Sequence, residues 1–395
     1  MSTIEVTQSS EIGKVTLPRR ITELMHEKGD AYTIRGFSQR LGISREYLRI
    51  MLTGERAISP AMTQKIVQGL GITVERLTQT DTVDLVQDLT TILGANKRTK
   101  PMLIRAYDLA TRLVNVALGA TERAVSLNNL GRVQFFQQQY DDAHATWLRA
   151  LDFAKALYEQ YHEKDLLHLI TANLMLTYTI RNEYSHAEEI LDLVDRSFPD
   201  NPNALGLASY TRMKLCLERR KFELAKTHAV QSLGHYKRAN DLGRIGKAFI
   251  NLAHCDYILA NYEEAAVSLN SAISLAKNYD HTLVFAVKEY VKVLVKLREY
   301  EKAAQVIEQY DSLASEYPDL HGKLQILYTK IKDDPSYAER ISNDSNRSLQ
   351  VRYFACKCLV DFYTKKGDAE TALMYYERAR IFSNSKADFF EEEGF

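Results

Sequence analysis

Two sets of residues carry spacings that suit molecular recognition. Arg45, Glu46 and Arg49 fall within about one helical turn and share the outer face of a short helix. An arginine can pair bidentately with guanine and a glutamate can accept from cytosine N4, so this set suits the reading of base edges in a major groove. Arg35, Arg40, Arg56 and Tyr47 lie around it and suit phosphate contacts, which fix position without reading sequence. The plainer reading is a solvated charged face. The second set is Asn129, Asn173 and Asn251, with Thr211 as the odd member, at one recurring position of a helical pattern. An asparagine side chain both donates and accepts, so a row of them can pair with the N–H and C=O groups of an extended peptide. Asn128 and Arg132, then Tyr178, Tyr210 and Tyr257, and the cationic Lys214, Lys247 and His254 fall on neighbouring positions. The cations suit a peptide carboxylate or an acidic side chain. The alternative for the asparagines is hydrogen bonding to adjacent helices.

The elements that must position the first set are short helices with readable ends. Leu17, Ile21, Leu24 and Met25 have helical spacing, and Gly29 with Asp30 ends that run. A second helix is predicted over 33–41, with Phe37 and Leu41 inward. Gly42 supplies a left-handed stop and Ser44 caps a third helix over 45–52 that buries Leu48 and Met51. Gly54 ends it. Ser59 followed by Pro60 starts a fourth helix packed by Ile66, Val67 and Leu70, and Leu77 fits a short fifth. Residues 84–93 and 102–118 read as two further helices, with a loop over 94–101.

Beyond residue 122 the chain repeats itself. An aromatic residue, acidic or polar neighbours and a small alanine recur at Tyr140–Ala143, Tyr184–Ala187, Phe222–Ala225, Tyr262–Ala265 and Tyr300–Ala303, closing at Ala372. The alanines step by 44, 38, 40 and 38 residues, and the last gap of 69 leaves room for a degenerate unit near Tyr337 and Ala338. Small residues let paired helices approach, and a larger residue four places on fills the space between pairs. Counting each alanine as the twentieth residue of its unit puts Asn129, Asn173, Thr211 and Asn251 at position six.

Composition narrows the class. The chain has 395 residues, 45% apolar and 26% charged, with only 17 glycines and 7 prolines, which favours long helices. Net charge is zero, yet residues 1–80 hold 11 Lys and Arg against 8 Asp and Glu, a mild basic bias. No run approaches the ~18 apolar residues of a membrane span, and residues 1–10 lack the pattern of a secretory signal. Cys216, Cys255, Cys356 and Cys358 lack disulfide or zinc spacing and read as reduced thiols in a cytoplasmic protein. There is no glycine-rich phosphate loop, zinc-protease motif or nucleophile elbow, so no enzymatic activity, cofactor or metal is expected.

Leu41, Gly42, Ile43 and Ser44, with Leu48, Gly54, Glu55, Arg56, Ser59 and Leu70–Thr73, resemble the Xre/lambda-repressor-like helix-turn-helix family over about sixty residues. Ile34, Ser38 and Ile58 depart from its usual Gln, Ala and Pro. The repeats resemble tetratricopeptide units, whose period is about 34 residues. Together the two resemble the RRNPP group of peptide-pheromone-sensing regulators. The resemblance implies an all-α chain: a tail over 1–15, a five-helix DNA-binding domain over 16–80, and a helical linker over 81–122. A right-handed tetratricopeptide-repeat superhelix follows over 123–385, then an acidic tail over 386–395. It further implies a double-stranded DNA operator, a short signalling peptide in the concave groove of the repeats and a homodimer. Relatives without a DNA reader act on response regulators, so a protein partner, or a phage or plasmid repressor with a protein antagonist, is the alternative.

Overall fold

A computed structural model describes residues 15–95 and 98–383. Both expected tails lie outside these residues, save Val15 at the edge of the first. The described residues form helices and turns and divide into two compact units between Asp200 and Asn201.

The N-terminal module folds as its local signals dictate. Its helices are α1 (Leu17–Glu27), α2 (Ile34–Leu41), α3 (Arg45–Leu52), α4 (Pro60–Leu70) and α5 (Val74–Thr78). Thr33, Ser44, Ser59 and Thr73 each accept a backbone N–H from the first turn of the helix that follows, at 3.1 to 3.3 Å. Such caps contribute about 1 kcal/mol each by satisfying orphan donors. Gly42 closes α2 at φ 65°, a conformation that a side chain resists, and this sets the tight turn into α3. Ile21, Leu24, Phe37, Leu48, Met51, Ile66, Leu70 and Leu77 form one buried core. Ile34 and Ile58 pack on its edge, and Ser38 is buried with its hydroxyl donating to Arg35 O at 2.9 Å. The three departures from the family pattern are therefore accommodated within this module.

Helices α6 (Val83–Gly94) and α7 (Lys100–Val116) follow. The second starts two residues earlier than its spacing suggested, because Thr99 caps it and Pro101 fits a first turn where no N–H is needed. It also ends earlier, at Val116. Leu89, Ile92, Leu93, Ala106, Leu109 and Leu113 join the pair to Leu130 and Val133, so the segment packs on the first repeat.

Among the described residues seven helix pairs make up the repeats: α8 (Ala120–Phe136) with α9 (Tyr140–Tyr161), α10 (Lys164–Arg181) with α11 (Ala187–Ser197), α12 (Pro202–Glu218) with α13 (Phe222–Ala239), α14 (Leu242–Ile258) with α15 (Tyr262–Leu275), α16 (Asp280–Lys296) with α17 (Tyr300–Ser315), α18 (Pro318–Lys332) with α19 (Ser336–Asn343), and α20 (Leu349–Lys366) with α21 (Ala369–Ser383). The anchor alanines 143, 187, 225, 265 and 303 are at most 1% exposed, and so is Ala338 of the degenerate unit. Five residues before every anchor the backbone turns left-handed, at Gln138, Asn182, Arg220, Ala260, Arg298, Asp333 and Gly367. This turn stops each first helix, and glycine occupies it only once. In the first pair the helices approach so closely that a Cβ on Gly131 would stand 2.5 Å from Trp147 Nε1. First helices also touch one another, α8 with α10 in one unit and α14, α16, α18 and α20 in succession in the other.

The start of α8 is held by the N-terminal module. The helix has no cap of its own. Glu23 on α1 accepts Thr121 N at 2.9 Å and Thr121 Oγ1 at 2.6 Å, and Glu27 accepts Gly119 N. Two carboxylates thus meet the positive end of the α8 dipole. Behind them Arg20 reaches Glu122 at 2.6 Å, and Arg76 on α5 takes the other carboxylate oxygen of Glu122. Arg19 extends the contact to Glu163 at 2.9 Å and lies over the Tyr161 ring.

Candidate functional site

On α3 the expected base-reading residues are all exposed. Two of them already engage each other. Arg49 Nε lies 3.0 Å from both carboxylate oxygens of Glu46, and its Nη2 lies 2.7 Å from one of them. The hydrogen bonds raise the pKa of Arg49 and lower that of Glu46. Glu55 adds a longer contact to Arg49 at 3.5 Å. Arg45 has no ion pair among the described residues. Of the expected phosphate contacts, Arg56 lies over the Tyr47 ring at 4.7 Å, while Arg40 lies over Tyr32 at 4.6 Å and donates to its hydroxyl. Arg35 is exposed on α2. The spacing of α3 brings these residues to one face, where Glu46 holds Arg49 as an i,i+3 pair of the same helix.

In the first unit the face made by α8 and α10 separates the asparagines into two kinds. Asn173 Nδ2 donates to Asn128 Oδ1 at 2.9 Å, both side chains being buried, and Asn128 O accepts Trp147 Nε1 at 3.1 Å. This pair joins neighbouring first helices, as the alternative reading had it. Asn129 is half-buried, with Oδ1 3.4 Å from Arg132 Nη1. Burial, and then nearby Arg98, lowers the Arg132 pKa to about 10. Tyr178 is not on this face. It is 2% exposed and packs edge-on against His144 at 4.7 Å, because its helix turns that position into the core. Burial lowers the His144 pKa to about 4, leaving a neutral ring bonded to Thr177.

In the second unit α14 presents Lys247, Asn251, His254 and Tyr257, all half-buried. Thr211, which occupies position six on α12, is fully buried and bonds back to Leu207 O at 3.0 Å. The charge of Lys214, one turn on, acts on His254, while Tyr210 packs at the edge of a core with Met213 and Ala225. The residue at position six of the fifth pair is Glu289, 38 residues after Asn251, the same step as between the anchors. It bonds Lys288 at 2.6 Å and Lys292 at 3.7 Å. Burial opposes its charge, but Lys288, Lys292 and His254 overcome this and lower its pKa to about 2. Lys292 also lies over the Tyr257 ring at 4.5 Å. Burial depresses the pKa of His254 and of Lys247. Lys288, Glu289 and Lys292 escaped the sequence reading, though the repeat count extended by one unit reaches them.

The remaining reactive groups are sequestered. All four cysteines are buried and none forms a disulfide among the described residues, and burial pushes the Cys255 thiol up to about 12 and those of Cys356 and Cys358 to about 11. Glu188, Glu189, Glu263 and Glu264 are exposed in first turns, where they complement helix dipoles. Among the described residues, no cluster is arranged to hold a metal and no helix is long and apolar enough to cross a membrane.

No protein-family model matches the chain. One curated protein, response regulator aspartate phosphatase J of Bacillus subtilis, is 28% identical over 98 residues, which span 25% of this chain and 26% of that protein. Solved structures match over far more. The apo form of the quorum sensor NprR from B. thuringiensis covers 93% of this chain and 97% of its own, with a TM-score of 0.62 at 16% identity. Aspartyl phosphate phosphatase F from Bacillus subtilis matches 93% and 94% of the two chains, with a TM-score of 0.54 at 12% identity. A Rap protein complexed with competence and sporulation factor matches 93% and 98%, with a TM-score of 0.51 at 14% identity. At these identities the likeness is one of fold, and the fold it identifies is that of Rap proteins and NprR, an all-helical chain built from tetratricopeptide-like repeats.

Proposed function

We propose that this protein is a cytoplasmic transcriptional regulator that reads operator DNA with α3 and is controlled by a short signalling peptide held along the first helices of its repeats. On this reading residues 16–80 are the reader, 81–122 the linker and 123–385 the sensor. The observation that carries it is the dual engagement of α8. This one helix carries Asn129 and Arg132 and is joined to α10 through the Asn128–Asn173 hydrogen bond, while Glu23, Glu27 and Arg20 of the N-terminal module grip its first turn. A ligand that displaces α8 acts on the module directly. A quorum sensor and a Rap protein bound to competence and sporulation factor share the fold, which supports a peptide as ligand.

The mechanism needs a homodimer on two half-sites about one helical turn (~34 Å) apart or a multiple of it. Peptide must bind one arrangement of the dimer better than another, by about 10⁴-fold for a nearly complete switch. On DNA, Arg49 leaves Glu46 for a base, or the pair reads as a unit, while Arg45 pairs directly. The test is footprinting on DNA upstream of the coding region, with and without peptide. Replacing Arg45 and Arg49 by Ala abolishes site selectivity, and an unaltered footprint refutes the reader. Replacing Asn129 and Asn251 by Ala weakens peptide binding by calorimetry without loss of fold, and an unchanged affinity refutes the sensor face.

A second reading is a protein-interaction regulator. The 98-residue match to a response regulator aspartate phosphatase favours it. Capture of a phosphorylated response regulator by the full chain, with no footprint on any DNA, decides for it.

A further inference from the structure

The second helix of the sixth pair is short: α19 runs eight residues where α17 runs sixteen. Asp344 follows it, and its carboxylate accepts Asn346 N at 2.9 Å and Arg347 Nε at 3.1 Å, closing the turn that ends the helix. A cavity of about 550 Å³ opens there, with α18 as its floor and α17 and α19 as its walls. Small-molecule sites span ~300–1,000 Å³. On the floor His321, Gln325 and Tyr328 share one face of α18 and bond the acids of α17. His321 Nε2 lies 3.0 Å and Gln325 Nε2 3.1 Å from Asp311 Oδ1, and Tyr328 donates its hydroxyl to Glu308. Arg347 Nη2 donates to His321 Nδ1 at 3.3 Å, so the ring carries its proton on Nε2 and is neutral. Asp311 is therefore oriented without being neutralised, and among the described residues no lysine or arginine pairs with it. On the other wall Arg340 lies 4.9 Å from the centroid of Tyr337, and its Nε donates to Ser336 O at 3.3 Å. Among the described residues it pairs with no carboxylate. Arg347, the second guanidinium of the lining, is taken by Asp344, His321 and Pro318 O.

We propose that this cavity binds a basic amino acid, with the side-chain cation at Asp311 and Glu308 and the carboxylate at Arg340. An unpaired acid on one wall and an unpaired base on the other select a ligand that carries both charges, set apart by a spacer. The planar fork of Arg340 can meet both oxygens of the carboxylate. Ile307, Ile341 and the rings of Tyr328 and Tyr337, edge-on at 4.8 Å, supply apolar surface for the methylenes between the charges. Three carboxylates and two guanidiniums leave the lining one negative charge in excess, which a basic amino acid balances. Asp311 and Arg340 are exposed, so the cavity is open to solvent on their side, where the α-ammonium stays hydrated. None of these residues is among those assigned above to peptide or to DNA, so the site stands or falls apart from both readings.

The test is calorimetry on the full chain with L-arginine, L-lysine and their decarboxylated counterparts agmatine and cadaverine. At least one of the amino acids should bind saturably, about tenfold more tightly than its amine, as a hydrogen bond to a charged group implies. Arg340→Gln should erase that advantage, weakening the amino acid about tenfold without weakening the amine. Asp311→Asn should weaken both by about tenfold or more. Both side chains are exposed, and a cooperative melt at the parent's midpoint shows that each variant keeps the fold. An amine that binds as tightly as its amino acid overturns the ligand of two charges. Saturable binding that neither substitution alters puts the ligand elsewhere and overturns the site. No saturable binding of either amino acid overturns the proposal and leaves the peptide and DNA readings to their own tests.

Discussion

Replacing Glu122 by Ala is the sharpest probe of how the N-terminal module is joined to the repeats. One oxygen of Glu122 accepts Arg20 Nη2 at 2.6 Å and Leu118 N at 2.8 Å, and the other accepts Arg76. Arg20, Arg76 and Glu122 are 2%, 9% and 8% exposed, so the substitution leaves two buried cations around one empty place. Arg76 retains Asp81 at 3.2 Å, and Arg20 retains its hydrogen bond to the Leu118 carbonyl. Breaking a buried ion pair from one side costs about 3–5 kcal/mol. Replacing Glu163 by Gln removes only its partly exposed pair with Arg19, should cost about 1 kcal/mol or less and serves as the control. Native-state hydrogen exchange reads the difference, because the Leu118 and Thr121 amides are protected by side chains of the network itself. Their exchange in Glu122→Ala should accelerate by roughly two to four powers of ten at 1.4 kcal/mol per tenfold, with α14 and α16 unaffected. Acceleration below about threefold at both amides, or equal acceleration throughout the second unit, refutes a local latch.

Gly131→Ala places a methyl 2.5 Å from Trp147 Nε1 and should lower stability by about 1–3 kcal/mol, with a shift in tryptophan emission; an unshifted spectrum and melting curve count against the close approach of α8 and α9. Ala260→Gly relieves a side chain held at φ 60° and should raise the melting temperature, the strain of about 1–2 kcal/mol outweighing the added flexibility of glycine; a lowered midpoint contradicts it. The Glu289 pKa is depressed to about 2. The stability it confers is therefore full above the unfolded value of ~4.3 and is lost as pH falls through the folded value. Burial also depresses His254, whose preference for the neutral ring acts in the same direction below its unfolded value of ~6.5. Glu289→Gln should flatten the acid limb of a stability curve followed by circular dichroism, and an unchanged limb counts against the Glu289 contribution.

Much of the architecture was legible because its signals act within a few residues. Ser44 and Ser59 cap helices three residues ahead of the donors they meet, and Gly42 turns the chain by its own backbone. The anchor alanines declared their register through periodic close packing. The left-handed turns before them did not, since Gln138, Arg220, Ala260 and Arg298 have no shared composition and are forced there by the helices that meet around them.

For the candidate sites the sequence determined residue types and helical faces, while only the tertiary structure decided partners. Position six grouped Asn129 with Asn173, yet packing gave Asn173 to Asn128 and left Asn129 beside Arg132. Glu122 meets Arg76 across 46 residues and Arg20 across 102, and no local pattern foretells either pairing. Arg98 looked like one charge in a loop until the fold laid it on Phe136. The physical reason is common to all three. Caps and turns are set by backbone geometry over a single turn, whereas the environment of a buried charge is set by whichever helices close-packing brings against it.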